Sequence, residues 1–366
     1  MENLYNIALT LLPGVGDKLG KVLVEHCGSS EAVFKEKKRN LEKIPDIGTI
    51  TAQKIVSQGV LQRAEEELKF IEKYQIQTFF FKDSTYPRRL LHCADSPLML
   101  YFKGHADLNA EKIISIVGTR KCTNYGRDVI EKLLADLKQD NVLVISGLAY
   151  GIDTLAHQTA LNCDLSTVGV LGHGLDRIYP NQNQNLAKKM LEKGGLLTNF
   201  MSKTNPDAVN FPSRNRIIAG LSDAVVVVEA ARHGGALITA DIANTYNRDV
   251  FAVPGRLNDE RSEGCNFLIK TNKAALIESA QDIRYLLNWD LDPQTRPVLQ
   301  PKLFLDLPDE QLIVFNMIQA HPNAIVDELC NLLNMPLSKL SALLLQLEIA
   351  GIIEVLPGKK WRILRH

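Results

Sequence analysis

Apolar positions in the middle of the chain fall in short, dense runs. KIISIVG (from Lys112), NVLVISG (from Asn141), STVGVLG (from Ser166), AVVVVEA (Ala224–Ala230) and DVFAVPG (Asp249–Gly255) are rich in β-branched residues. Each is too short for a helix and is closed by small or turn-forming residues, which predicts buried strands. GLLTNF, from Gly195, reads as a further strand. Between these runs lie helix-length amphipathic segments: RDVIEKLLADLKQD, IDTLAHQTALN, NLAKKMLEKGG and HGGALITADIANTYN. Strand, glycine turn, helix and strand in repeated order make βαβ units of a mostly parallel α/β sheet.

The flanks follow a different rhythm. Residues 1–65 read as helical and hold a weak repeat, LLPGVGDKLGKVLVEH (from Leu11) and KIPDIGTITAQKIVS (from Lys43). Both resemble helix-hairpin-helix motifs, with turns at Gly14-Val15-Gly16 and Asp46-Ile47-Gly48. Backbone N–H groups at such a turn can hold a phosphate without reading sequence, or the turn can serve packing alone. A charged helix (Gln62 to Tyr74), a strand in QTFFFKD and an extended LMLYFKG lead into the α/β region. After Trp289, DLDPQTRPVLQPKLFLDLP is spaced by prolines and reads as a linker. From Asp309, three short helices and a hairpin at Pro357-Gly358 form the winged-helix pattern. Its third helix, Leu337 to Ala350, has one basic residue, Lys339, which favours protein contact or packing over DNA. The expected domains are 1–75 (helical), 76–288 (α/β), 289–308 (linker) and 309–366 (winged helix).

Charge narrows the chemistry. The 366 residues carry 42 basic and 42 acidic side chains, so a nucleic-acid footprint has to be a local patch. The six cysteines (27, 93, 122, 163, 265 and 330) show no CxxC pair and no metal spacing, as expected of reduced thiols in a cytoplasmic protein. The start lacks a basic n-region, and no apolar run reaches about 18 residues, so neither export nor a membrane is expected.

Ligands of such sheets gather beyond the carboxyl ends of the strands. Those ends carry Gly118-Thr119-Arg120, Ser146-Gly147-Leu148, Gly172-His173-Gly174, Glu229 and Gly234-Gly235. FPSRNRIIAGLS adds Arg214 and Arg216 beside Phe211 and Asn215, a set suited to phosphates and bases. Neither GxGxxG nor GxxxxGK[ST] occurs, which argues against a dinucleotide cofactor and a P-loop ATPase. Asp153 and His157, four apart on a helix, suggest an i,i+4 hydrogen bond or an acid–base pair. No nucleophile, base and orienting group occur together, so no enzyme, metal or cofactor is expected.

GTRKCTNYG, SGLAYGIDTLAHQTAL, GHGLDRIYPNQN, FPSRNRIIAGLSDAVVVVEA, GALITA, RDVFAVPG and GCNFLI, in this order, resemble the DNA-processing protein A family (DprA, also called Smf) over about residues 80–285. The resemblance implies a Rossmann-like, mostly parallel sheet with helices on both faces. An N-terminal helical domain of helix-hairpin-helix or sterile-alpha-motif-like type and a C-terminal winged helix would flank it. It also implies single-stranded DNA binding without sequence preference, and RecA recruitment during natural transformation. It marks Arg120, Phe211, Arg214, Asn215, Arg216 and Lys270 as DNA contacts. Gly118, Gly147, Gly234 and Gly235 would be close-approach glycines. Thr123 and Gly234 stand where the family often has Ser, and Asn272 where a Gly is usual. CNFLIKTNKAALIESA holds more apolar residues than one sheet edge needs, and the resemblance places self-association near it. A homodimer through Leu268, Ile269 and Ile277 is therefore expected. The competing reading is a nucleotide-processing enzyme of the phosphoribohydrolase type, with Glu229 and Arg214 as its working pair.

Overall fold

Six helices open the chain in the computed structural model, which describes residues 2–57, 59–289, 308–321, 326–350, 352–356 and 360–363. They are α1 (Glu2–Thr10), α2 (Asp17–Cys27), α3 (Ser30–Lys35), α4 (Lys38–Leu41), α5 (Thr49–Ser57) and α6 (Leu61–Tyr74). There follow β1 (Gln77–Phe80), α7 (Arg88–Leu91), β2 (Met99–Gly104), β3 (Ile113–Val117), α8 (Asn124–Leu137), β4 (Leu143–Ser146), α9 (Ile152–Asn162), β5 (Thr167–Val170), α10 (Gln184–Lys193) and β6 (Gly195–Thr198). The last part of this unit is α11 (Asn210–Leu221), β7 (Ala224–Val227), α12 (Gly235–Thr245), β8 (Asp249–Ala252), α13 (Glu263–Lys270), β9 (Ala275–Leu276) and α14 (Ala280–Leu286).

The nine strands form one sheet in the order β1-β2-β6-β5-β4-β3-β7-β8-β9. β2 runs antiparallel to β1 and β6, and every other pair is parallel. The chain builds outward from β3 through β4 and β5 to β6, then crosses back to lay β7 on the other side of β3. Right-handed crossovers taken in opposite directions put α8, α9 and α10 on one face and α11 and α12 on the other. The reversal leaves a crevice between the carboxyl ends of β3 and β7, where Ile114–Val117 pair with Ala224–Val227. Every expected strand forms. β3, β4, β5 and β7 are wholly buried, as unbroken apolar runs in a covered parallel sheet should be.

The N-terminal helices do not own a separate core. Ile7, Leu9, Leu23, Val24, Leu41 and Ile55 pack with Phe80, Leu98, Met99 and Tyr101 from the β1–β2 end of the sheet. Residues 1–287 are one compact unit, so the expected boundary at residue 75 separates helices from strands without separating two cores.

Residues 288–366 form the second unit. It holds α15 (Asp309–Ala320), α16 (Val326–Leu333), α17 (Leu337–Ile349) and the antiparallel pair β10 (Ile353–Leu356) and β11 (Lys360–Ile363). Val314, Ile318, Leu329, Leu340, Leu344 and Ile353 make its core, and Lys339 is paired with Glu310 at 2.6 Å. The linker falls mostly on residues 290–307, outside the described ones, as does the Pro357-Gly358 turn. No described helix is long and apolar enough to cross a membrane.

Two expectations about the end of the α/β region need correction. Leu268 and Ile277 are each 1% exposed, because α13 and the chain after β9 fold back onto the chain's own core. Neither is accessible to a partner. Ile269 is half-buried against the same core, and Leu276 is exposed.

Candidate nucleic-acid interface

The crevice between β3 and β7 is a cleft of about 450 Å³. Gly118, Thr119, Arg120, Asp153, Phe211, Arg214, Asn215, Gly234 and Gly235 line it. The residues marked in the chain order as 118–120, 211–215 and 234–235 thus come together.

Glu229 fixes the loop after β3. Its backbone oxygen accepts Thr119 N–H at 2.7 Å, and its buried carboxylate accepts Thr123 N–H at 3.0 Å and the Thr123 hydroxyl. Thr123 in turn caps α8 by accepting Gly126 N–H at 3.2 Å. A Cβ on Gly126 would lie 2.5 Å from the Glu229 carboxylate, and a Cβ on Gly118 would lie 2.6 Å from Ile152. Both glycines are therefore required by internal packing.

Arg214 is buried, and its guanidinium occupies the space where a Gly147 side chain would be, 1.8 Å from an ideal Cβ. The approach that Gly147 allows is thus by Arg214, and not by DNA. Arg214 Nη1 donates to Val170 O at 2.8 Å. Asp153, within reach of this guanidinium's charge, accepts Gly147 N–H at 3.2 Å and Ala149 N–H at 3.4 Å. Burial raises the Asp153 carboxyl and Arg214 opposes that shift; burial likewise lowers Arg214. Asp153 and His157 do not bond each other. His157 Nδ1 lies 2.6 Å from the Thr167 hydroxyl, and burial pulls its imidazole down to about 3.

The Phe211 ring lies on Gly172, where a Cβ would come within 3.1 Å of it. Both Arg120 and Arg214 place their guanidinium carbons 5.8 Å from the ring centroid. Arg120 is exposed and lacks an ion-pair partner among the described residues. Across the cleft, Gly234 caps α12 without a side-chain hydrogen bond, and a Cβ on Gly235 would meet open space. The first N–H groups of α12 and the positive end of its dipole therefore face the cleft, a ready anion site.

Arg216 belongs elsewhere. Two residues beyond Arg214 on α11 it is turned by roughly 200°, and its guanidinium bonds Asp17 at 2.5 Å and the Asp95 carbonyl. Asp17, the first residue of α2, also accepts Leu98 N–H at 2.8 Å. The start of α2 is thus tied to the sheet, and a Cβ on Gly20 would lie 2.3 Å from Leu98, while Gly14 and Gly16 of the first hairpin turn are exposed. In the second turn Gly48 and Ile50 are exposed as well. Lys270 is exposed at the end of α13 and does not line the cleft.

Sequence reasoning passed over two residues here. Tyr150 and Tyr179, on the loops after β4 and β5, are exposed and share a small recess with Arg120, Phe211 and Arg214. Their one signal was an aromatic residue in each of two strand-end loops.

Comparison with known proteins agrees with this geometry. Residues 77–288 match the family model for DNA recombination-mediator protein A. Residues 301–359 match the DprA winged helix domain, and 7–58 a SAM-like helix-hairpin-helix tandem. The chain is similar to protein Smf of Synechocystis, 33% identical over 99% of this chain and 98% of that protein. It is also similar to DNA processing protein DprA of Streptococcus pneumoniae, 39% identical over 58% of this chain and 74% of that one. The solved structure of DprA from Streptococcus pneumoniae superposes with a TM-score of 0.67 at 31% identity, covering 77% of this chain and 97% of that chain. DNA processing protein A from Helicobacter pylori, solved for its single-stranded DNA binding mode, superposes with a TM-score of 0.54 at 28% identity, over 59% of this chain and 97% of that one.

Proposed function

The chain belongs to the DNA recombination-mediator protein A family, and we propose that it binds single-stranded DNA without sequence preference and loads RecA onto it during natural transformation and recombination. In this reading it works in the cytoplasm as a homodimer and is not an enzyme. One observation carries the DNA-binding part: an aromatic ring, Phe211, stands beside the free guanidinium of Arg120 and opposite the open N-terminus of α12. Such a set offers a stacking face to any base and ligands to the backbone phosphates, with no base edge to be read. For self-association the exposed Leu276, Tyr285 and Leu286 offer apolar surface near the expected place.

The enzymatic alternative needs Glu229 and Arg214 free to act on a nucleotide. Against it stand the bonds from Thr123 to Glu229 and the burial of Arg214, whose guanidinium donates to Val170 O. Incubation with nucleoside monophosphates should release no free base.

Binding is tested by titrating labelled oligo-dT against duplex at a series of salt concentrations. Arg120→Ala should flatten the dependence of log affinity on log salt by about 0.7, the single-strand counterion slope per phosphate. Arg216→Ala should leave that slope as it is, since Asp17 already neutralises the guanidinium. An unchanged slope for Arg120→Ala would place the phosphates outside this cleft.

A further inference from the structure

The rings of Tyr150 and Tyr179 have no evident role in folding. They are 42% and 47% exposed, in loops that the sheet brings to the mouth of the cleft. A large ring left half in water gains little from burial, so its presence asks for a use. The Tyr150 ring is held in place. The Tyr150 hydroxyl donates to Gln182 Oε1 at 2.6 Å, and Asn183 Nδ2 donates to Leu148 O at 2.9 Å and to Thr154 Oγ1 at 2.8 Å. The loops after β4 and β5 are thereby tied together by two bonds, and a third ties the second loop to α9.

The Tyr179 ring lies 6.4 Å from that of Phe211, centroid to centroid. The recess that Tyr150 and Tyr179 line shares Arg120, Ala149, Phe211 and Arg214 with the main cleft, so the two spaces adjoin. Three aromatic side chains therefore run outward from the cleft, with the Arg120 guanidinium beside the first of them.

We infer that Tyr150 and Tyr179 form a second stacking platform, on which the bases of single-stranded DNA lie as the strand leaves the cleft past Arg120. The inference rests on the reading of the cleft as the DNA site and extends it by naming the exit and what selects single strands. Stacking needs an open base face, and every base has one, so the platform tolerates all sequences. In a duplex both faces of each base are covered by neighbouring pairs, so the platform rejects it. Because the loops are already fixed, little ordering is lost when a base arrives.

The test uses the full chain with Tyr150→Leu, Tyr179→Leu, both together, and the corresponding Tyr→Phe variants, each checked for an unchanged melting temperature. Affinity is measured for oligo-dT of about 4 and about 16 nucleotides, spanning the range of known single-strand site sizes. Leucine keeps the volume and the apolar character but cannot stack. Each leucine variant should bind the long oligonucleotide at least about fivefold more weakly, the lower limit of one stacked base. The salt slope should be unchanged, the short oligonucleotide should bind as before, and the phenylalanine variants should lose much less affinity than the leucine ones. A 2-aminopurine placed along the long oligonucleotide should lose its quenching in the leucine variants. Leucine variants with wild-type affinity, beside a weakened Arg120→Ala, would overturn the platform and leave the cleft standing. Equal losses in the phenylalanine variants would overturn it too, by assigning the effect to the hydroxyls. Failure of the wild-type chain to bind any oligo-dT would instead remove the reading on which the platform rests.

Discussion

Arg214→Ala is expected to lower the free energy of unfolding by about 3 kcal/mol, the lower end of the cost of leaving a buried charge without the opposite charge that compensates it. Arg214 is 5% exposed, its guanidinium fills the space above Gly147, and its charge acts on the buried Asp153 carboxyl. Its removal leaves a cavity and an uncompensated acid. The pH dependence follows from the direction of the Asp153 shift, which burial drives upward and Arg214 opposes. A carboxyl raised in the folded chain binds a proton more tightly there than when unfolded. Its stabilising contribution is present below the unfolded value and is lost as pH rises through the folded one. Without Arg214 the folded value rises further, so the deficit should be largest near neutrality and shrink on acidification. Urea unfolding at neutral and mildly acidic pH measures both. Arg214→Ala with Asp153→Asn should recover part of the loss, because no buried charge remains. A variant as stable as the wild type would show that Arg214 is a dispensable surface ligand, as the sequence alone suggests.

Phe211→Ala should weaken binding of oligo-dT by about 1–3 kcal/mol, roughly 5- to 150-fold in Kd, with the salt slope unchanged. Stacking releases no counterions, so the ring and Arg120 separate cleanly in a salt titration. The truncation also removes the surface that both guanidinia face at 5.8 Å, and loss of Arg120 ordering adds to the effect. Stability should change by much less than the about 3–5 kcal/mol of a buried phenylalanine. Phe211 sits in the first turn of α11 and is only half-buried. A melting temperature recorded beside the titration distinguishes a ring that binds from a ring that packs. Early melting with unaltered affinity per folded molecule would make Phe211 a core residue.

Periodicity carried most of the architecture. The runs at 113–117, 143–146, 167–170, 224–227 and 249–252 are strands because β-branched, apolar residues without polar alternation can be satisfied only inside a covered parallel sheet. The hairpin repeat, the winged helix and the gathering of glycines and arginines at strand ends are legible for the same reason: each is a pattern among near neighbours. α11 was harder to read. Its buried residues Ile217, Ile218 and Leu221 crowd its second half, while the first holds Pro212 and the polar side chains of the cleft. Pro212 is tolerated there because it falls in the first turn, where its missing N–H has no helical partner in any case.

Only the tertiary structure decided what each arginine does. Arg120, Arg214 and Arg216 look alike along the chain, yet one is free at the cleft, one is buried over Gly147 and one is bonded to Asp17, 199 residues away. The same holds for Gly147, which makes room for Arg214, and for Leu268 and Ile277, which the chain's own core consumes. Hydrophobic period and turn chemistry act between neighbours and can be read from them. The partner of a guanidinium, and the covering of an apolar side chain, are set by whichever distant segments the fold brings within a few ångströms.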